Sequence, residues 1–276
     1  MERKRIFIAV KTYPTVSKKY AELVCTAGVL DDGSWIRLYP LRFRTLDIER
    51  KYPKYSWIEA DVERNSSDFR PETYRVINPE NISVERIQAG KAPWEDRKRI
   101  IFKNKEVYTN LSKVISLSKT TGISLAVFKP TKIIDFKVEA TSRDWPEDTL
   151  KILQSQSQQF SLFQTPEEVA NDFKVVEKIP YRFSYRFIDD VGKESTMMIE
   201  DWEIGMLYRH CVEQEKGAEE RAVELVRKKY FDEFTREKDI YFFIGTTKEF
   251  HNVAPNPFII IGVFYPPIQK QITFDV

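Results

Sequence analysis

The sequence predicts an α+β protein that is mainly antiparallel β-structure, with a barrel-like N-terminal region and a β-plus-helix C-terminal region. Three observations predict this class. Short apolar runs with a period of two, separated by turn residues, occupy the first 78 residues. The dipeptide Asp32-Gly33 joins two of these runs, as expected for a tight hairpin. The second half carries another strand–turn–strand pattern, followed by a long stretch with helical spacing.

The N-terminal region is predicted to hold five short strands. Ile6–Val10 is an apolar strand, and Glu22–Leu30 and Ser34–Tyr39 form the two arms of the hairpin. Trp57–Glu63 alternates in polarity, and Thr73–Ile77 follows a turn-prone stretch. Five strands within about 78 residues suit a small barrel or a strongly curled sheet.

Strands and helices alternate through the rest of the chain. Residues 79–105 look irregular and basic. The predicted helices are Asn110–Ser118, Pro146–Gln159 and a stretch over Asp201–Tyr230 that breaks near Gly217. The predicted strands are Ser124–Phe128, Ile133–Val138, Tyr181–Ile188, Lys193–Ile199, Ile240–Ile244 and Phe258–Phe264.

Charge divides the chain. Residues 1–143 carry 28 lysines and arginines against 18 aspartates and glutamates, whereas residues 144–276 carry 16 against 24. A polar, low-complexity run at 154–159 marks the best boundary. The predicted organisation is a basic barrel-like region at 1–143, a polar linker with a helix at 144–165, and an acidic β-plus-helix region at 166–276. Such asymmetry predicts different partners for the two halves, or contact between them.

The composition is that of a folded cytoplasmic protein. Aromatic residues make up 13% of the chain, more than a disordered chain carries. Met1–Arg5 is followed by too few apolar residues for a secretory signal, and no apolar run approaches the length of a membrane span. Cys25 and Cys211 are far apart in apolar contexts, which favours a reducing compartment and two buried thiols.

Several classes of enzyme lack their signatures. Only two histidines occur, and there is no CxxC or HxxxH spacing for a transition metal. Neither GxSxG nor a glycine-rich phosphate-binding motif is present. We therefore expect no cofactor and favour a binding module over an enzyme.

One catalytic alternative stays open. Glu59, Asp61 and Glu63 alternate along one predicted strand and project from the same face. Carboxylates placed in this way hold Mg²⁺ in nucleases. The alternative function is thus a Mg²⁺-dependent nuclease, and the competing interpretation is a solvated strand face.

The preferred function is nucleic-acid binding through a basic and aromatic face of the N-terminal region. Lysine and arginine neutralise phosphates, and planar side chains stack on bases. A small barrel presenting both would be an OB-like platform for DNA or RNA. The acidic half would dock a protein partner or mask this face, and an adaptor without nucleic acid is a third hypothesis. The candidate binding residues are Lys11, Lys18, Lys19, Trp35, Arg37, Tyr39, Arg42 and Arg44.

Two segments carry a resemblance to known proteins. Val24–Gly28 and Gly33–Pro40, with a "cysteine, small, glycine … tryptophan, isoleucine, arginine" pattern, resemble prokaryotic proteins of the dual-OB-domain type. Tyr241–Thr246 and Ile259–Pro267 look like the end of such proteins. The resemblance implies tandem β-barrels and a nucleic-acid-related role, without indicating which residues act.

Overall fold

The fold is taken from a computed structural model of the chain. The structure describes residues 1–16, 23–41, 43, 46, 51–85, 94–152 and 176–268. Within them the protein is mostly β-structure with a few helices, so the predicted α+β class is confirmed.

Five N-terminal strands close into a barrel. Hydrogen-bonded neighbours follow the order β1-β2-β3-β5-β4, and β4 pairs back onto β1. All neighbours are antiparallel except β3 and β5, which run parallel. A short strand β6 extends the sheet beyond β4. The bounds are β1 Glu2–Lys11, β2 Val24–Leu30, β3 Trp35–Leu41, β4 Trp57–Arg64, β5 Thr73–Val76 and β6 Ser83–Glu85.

The predicted hairpin between β2 and β3 is confirmed. Val29 lies opposite Trp35 in the antiparallel register. Gly33 adopts a φ of 91°, a left-handed conformation that a side chain disfavours. The Asp32 carboxylate accepts hydrogen bonds from the Ser34 amide (2.8 Å) and hydroxyl (2.6 Å), which fixes the turn.

From Ile6 onward strand β1 is buried on both faces, which explains its apolar run. Ile6 and Ile8 belong to the barrel interior, together with Ile36 and Leu38 of β3. Phe7 and the other outward residues of β1 pack instead against the second half of the chain. A strand covered on both sides has no polar face to display.

The second half is built from two sheets that meet at their edges. One sheet has the order β11-β10-β9 and the other β13-β12-β8-β7. A parallel bridge between Ile199 and Ile260 joins the end of β11 to β13. The bounds are β7 Val107–Tyr108, β8 Leu125–Phe128, β9 Lys132–Ala140, β10 Tyr181–Ile188, β11 Glu194–Met198, β12 Tyr241–Thr246 and β13 Phe258–Phe264.

The strand order of the first barrel recurs in the second half. If β8 and β9, which are separated by only three residues, count as one bent first strand, their neighbours follow the same sequence. The first strand pairs with the second (β10), and the second with the third (β11). The third strand is joined in parallel to the fifth strand (β13), and the fifth strand pairs with the fourth (β12). The fourth strand pairs with the first through β8.

This arrangement bears on the expected domain ranges. Strands β8 and β9 fall within the range 1–143 that was assigned to the basic region. In the structure they pair with β12 and β10, which belong to the second half.

The helices flank these sheets. Asn110 caps the start of α2 by accepting a hydrogen bond from the Lys113 amide (2.9 Å), and Gly122 ends it with a φ of 77°. Asp201 caps α3 in the same way. Among the described residues, no helix is both long and apolar enough to cross a membrane. The bounds are α1 Trp94–Ile101, α2 Leu111–Thr121, α3 Trp202–Gln214 and α4 Glu219–Arg227.

One helical prediction differs from the structure, one is confirmed and extended, and one is described only in part. The irregular segment expected at 79–105 contains helix α1, whose many charges hide its apolar spacing. The stretch over Asp201–Tyr230 does break near Gly217, and it continues beyond α4 as helical turns to Glu237. The helix at Pro146–Gln159 is described only over 147–152, and the remainder lies outside the described residues.

Candidate functional site

A cleft lies between the first barrel and the second half. Its barrel wall comes from the β2–β3 face, from residues before and after the β1–β2 connection, and from the β4–β5 loop. These are the surfaces with which OB barrels hold oligonucleotides. The enclosed volume is about 130 Å³. The lining residues are Thr12, Thr15, Leu23, Cys25, Arg37, Tyr39, Arg70, Glu200, Thr246, Thr247, Lys248, Ile259 and Ile261.

Arg37 is buried, so its expected exposed position is wrong. Only 1% of the residue is accessible. Its Nη1 donates to the Oγ of Ser124 (2.6 Å) and to Oγ1 of Thr73 (3.2 Å), and its Nη2 donates to the Ser124 carbonyl (3.0 Å). Burial lowers the pKa of this guanidinium. The period of two places Arg37 outside the barrel, but the second half covers that position.

A network of charges continues from Arg37 along the β4–β5 loop. Glu72 accepts hydrogen bonds from the Ser124 amide (2.9 Å) and hydroxyl (2.6 Å). The buried pair of Arg70 and Asp68 is joined at 2.6 Å, and Arg70 also donates to the carbonyl of Thr246. Two cations and two carboxylates therefore share one buried interface, and each has an opposite charge nearby. This network fixes the barrel against β8 and β12.

Trp35 and Tyr39 lie at the same face and are half-buried. The Trp35 ring meets Phe243 of β12 with centroids 5.9 Å apart at 77°. The Lys105 ammonium sits 4.8 Å above the Trp35 ring. Tyr39 lines the cleft, and its carbonyl accepts a hydrogen bond from Asn65 (2.9 Å). Tyr39 therefore has access to a ligand in the cleft, whereas Trp35 is engaged by the second half.

Lys11 is also buried, contrary to the expectation of an exposed phosphate ligand. Its Nζ donates to the Tyr52 carbonyl (3.1 Å) and lies 4.5 Å from the centre of the Phe43 ring. Burial, with a smaller contribution from the neighbouring Lys54, lowers the pKa of Lys11 to about 8. Lys54 itself is held by the carboxylates of Asp201 (3.2 Å) and Glu203 (2.8 Å). Lys54 therefore links the first half to the second, whereas the contacts of Lys11 with Tyr52 and Phe43 lie within the first half.

The four remaining candidate residues lie outside the described residues. They are Lys18, Lys19, Arg42 and Arg44. Lys18 and Lys19 belong to the β1–β2 connection, whose flanking residues Thr15 and Leu23 both line the cleft. Their role in binding stays a prediction.

Two exposed aromatic residues, which were not predicted from the sequence, lie in the loops that contribute to the cleft. Phe69, in the β4–β5 loop, is 51% exposed, and Phe250, in the β12–β13 loop, is 50% exposed. The Phe69 ring lies 5.3 Å from that of His251, whose Nδ1 is 2.8 Å from the Oγ1 of Thr246. Beside them, the exposed Lys248 lines the cleft. The sequence signal that could have identified Phe69 is its position between the charged residues Asp68 and Arg70 in a turn-rich loop.

The three carboxylates of the nuclease alternative lie on β4. Arg3 of β1 contacts both Glu59 and Asp61, at 3.3 Å each. Glu63 is paired with Arg75 of β5. Among the described residues, no group of three histidine, cysteine, aspartate or glutamate side chains is placed to hold a metal ion. These contacts make the carboxylates part of cross-strand ion pairs.

Glu200 contributes the acidic group of the cleft. It lies two residues beyond the end of β11 and is half-buried. Burial raises the pKa of this carboxyl, and the charge of Arg182 opposes the effect. Glu200 therefore takes up a proton more readily than an exposed glutamate does.

No curated protein matches the sequence. One solved structure that resembles the chain is described as a murine DNA-binding protein bound to double-stranded DNA. It shares 10% identity over 98% of this chain and 97% of that chain, with a TM-score of 0.30. A TM-score this low supports no inference about function.

Two sequence profiles match consecutive parts of the chain. The profile of a domain of unknown function, DUF8758, matches residues 2–103, which contain the first barrel. The profile of a second domain of unknown function, DUF8757, matches residues 108–276. Because this second match spans more than half of the chain, the protein belongs to the DUF8757 family.

Proposed function

We propose that the protein binds single-stranded nucleic acid in the cleft between the first barrel and the second half. The observation that carries this proposal is the composition of the cleft wall. The β2–β3 face, the ends of the β1–β2 connection and the β4–β5 loop all contribute to it, as they do in OB-type binding sites. The strand order of the barrel, with its parallel β3–β5 pair, agrees with that type of site.

The side chains in and around the cleft suit single-stranded nucleic acid rather than a duplex. Lys248 offers an exposed ammonium at the mouth, and Thr15 and Thr247 offer hydroxyl groups to phosphate oxygens. Phe69 and Phe250 offer exposed rings to bases. Stacking on aromatic side chains needs unpaired bases, and it tolerates any sequence because every base has a π face.

The second half limits how much of the β2–β3 face a ligand can reach. It covers Arg37 through Ser124 and engages Trp35 through Phe243. This arrangement agrees with the hypothesis that the acidic half masks part of the basic region. Tyr39 and the exposed Lys248 line the part of the cleft that remains for binding.

Fluorescence anisotropy with labelled oligonucleotides tests the proposal. We expect salt-sensitive binding of single-stranded DNA or RNA that exceeds the binding of a duplex of the same sequence. The double change Lys18→Ala and Lys19→Ala, like Lys248→Ala, should weaken binding. Each lost phosphate contact should flatten the salt slope by about 0.7. Phe69→Ala should cost about 1–3 kcal/mol of binding free energy if a base stacks on the ring.

Lys119→Ala provides a matched control, because Lys119 is exposed on α2 and does not line the cleft. It should leave both the affinity and the salt slope unchanged. The proposal is wrong if the wild-type protein shows no salt-sensitive affinity for any oligonucleotide at low ionic strength.

A further inference from the structure

Two further cavities lie next to the cleft and extend onto the second half of the protein. A second cavity of about 250 Å³ shares Thr15 and Glu200 with the cleft. A third cavity, of about 480 Å³, shares Trp145 and Lys178 with the second. The three cavities therefore adjoin in series. We call them together the trough, and we call the second and third cavities its distal part.

The distal part of the trough contains aromatic and basic side chains in contact. Tyr13 accepts a hydrogen bond from the Nε of Arg209 (2.5 Å) and packs on Gly205 of α3 so closely that a Cβ there would collide with its ring. The Lys178 ammonium lies 5.9 Å from the centre of the Trp145 ring. The exposed Arg182 lines the same part. Cations beside planar rings are the groups that bind phosphates and bases.

The distal part also occupies an equivalent place on the two sheets of the second half, which repeat the strand order of the first barrel and which we call together the second barrel. Thr141, Trp145 and Lys178 belong to the connection between β9 and β10, the first and second strands of that barrel. Arg182 lies on β10, and Met198 lies on β11. The trough thus uses a first connection and a second–third strand face in both barrels.

We propose that one continuous single strand binds along the trough and contacts both barrels, passing Thr15 and Glu200 where the cavities meet. This inference rests on the proposed function, because it extends the same ligand from the cleft to Trp145 and Arg182. It makes the second barrel a nucleic-acid-binding surface rather than only a cover for the first. Once a strand binds one barrel, its free end is at a high effective concentration near the other barrel. Affinity should therefore increase with the length of the strand.

Oligonucleotides of two lengths test this extension on the full-length protein. An OB barrel contacts about 4–16 nucleotides, so a strand of about 6 nucleotides fills one site and one of about 20 spans both. The wild-type protein should bind the long strand much more tightly than the short one. Trp145→Ala and Arg182→Ala should each weaken binding of the long strand by about fivefold or more. Neither change should alter binding of the short strand if the short strand prefers the cleft.

Two controls separate the outcomes. Lys248→Ala, in the cleft, should weaken the binding of both lengths. Thermal melts check the fold of Trp145→Ala, since the Trp145 indole donates to the Val176 carbonyl (2.7 Å), and the exposed Arg182 gives a second variant with less effect on packing.

If neither length binds the wild-type protein, the proposed function fails, and this inference fails with it. If both lengths bind equally, or if Trp145→Ala and Arg182→Ala leave the long strand unaffected, the cleft binds nucleic acid but the distal part of the trough does not. The proposal is also wrong if Trp145→Ala and Arg182→Ala weaken the binding of the short and the long strand equally. That result would place the short strand in the distal part.

Discussion

The Nη1 atom of Arg37 lies 2.6 Å from the Oγ of Ser124, and this contact joins β3 of the first barrel to the residue that precedes β8. Glu72 accepts hydrogen bonds from the same serine on its amide and hydroxyl. Ser124 is therefore a shared partner of a buried cation and a nearby carboxylate. The triad thus connects the first barrel to the second half.

Replacement of Arg37 by methionine should destabilise the protein rather than simply weaken ligand binding. The change deprives Ser124 and Thr73 of a charged donor in a buried site. A hydrogen bond to a charged group contributes about 1.5–3 kcal/mol, so the free energy of unfolding should fall by at least that amount. Urea denaturation measures the change. Arg75→Met is the matched control, because Arg75 is exposed and should change stability by less than about 0.5 kcal/mol. Equal effects of the two changes would contradict the structural role of Arg37.

Trp35→Ala and Phe69→Ala should have opposite consequences. Trp35 packs against Phe243 and Lys105, so its removal should lower the unfolding free energy by about 1–3 kcal/mol, less than the loss of a fully buried tryptophan. Oligonucleotide affinity should change little. Phe69 is exposed, so its removal should leave the melting temperature unchanged and reduce affinity. Thermal melts recorded beside anisotropy titrations compare the two variants, and a loss of affinity confined to Trp35→Ala would reverse these assignments.

Lys11 should make stability depend on pH in alkaline solution. Its pKa is lowered to about 8 by burial, so between about pH 8 and 10.5 the unfolded chain binds more protons at this residue than the folded protein does. Stability therefore rises with pH across that window. Relative to Lys11→Met, the wild-type protein should gain at most about 3 kcal/mol. Denaturation curves at pH 7 to 10 measure this gain.

The titration of Lys105 does not affect the comparison between the wild-type protein and Lys11→Met. Burial also lowers the pKa of Lys105 to about 8, and its effect has the same sign. It is present in both proteins, so it cancels in the difference between them. Parallel stability profiles for the wild-type protein and Lys11→Met would show that Lys11 titrates normally in the folded state.

Local patterns predicted the strands and hairpins well, because a period of two and an Asp-Gly turn depend on neighbouring residues. They placed Arg37 on the opposite side of β3 from Ile36 and Leu38, which the structure confirms. They did not reveal that Ser124, 87 positions later, covers that side. Burial by a distant sheet leaves no periodic trace in the strand that it covers.

The site was harder to predict for the same reason. The cleft forms where the β4–β5 loop meets the β12–β13 loop, nearly 180 residues away in the chain. The residue patterns did not show the repeated strand order of the second half, since it depends on the pairing of β8 with β12 and of β11 with β13; only the resemblance to dual-OB-domain proteins implied tandem barrels. Helix α1 was missed because charged residues dominate its sequence.

Glu200→Gln should strengthen the binding of a single strand. Glu200 lines both the cleft and the adjoining cavity, so a phosphate backbone in the trough passes its negative charge. Two unit charges at 4 Å repel by about 1 kcal/mol even in water, which corresponds to roughly fivefold in affinity. The same prediction includes a pH dependence. Because burial raises the pKa of Glu200, acidification should neutralise its carboxylate and bring the wild-type affinity towards that of Glu200→Gln.

Anisotropy titrations at pH 5 and pH 8 compare the two proteins, and the affinity advantage of Glu200→Gln should be larger at pH 8. The same shift means that the wild-type protein loses stability relative to the variant as the pH rises through the raised pKa. Unchanged affinity at both pH values would show that the bound strand does not pass Glu200.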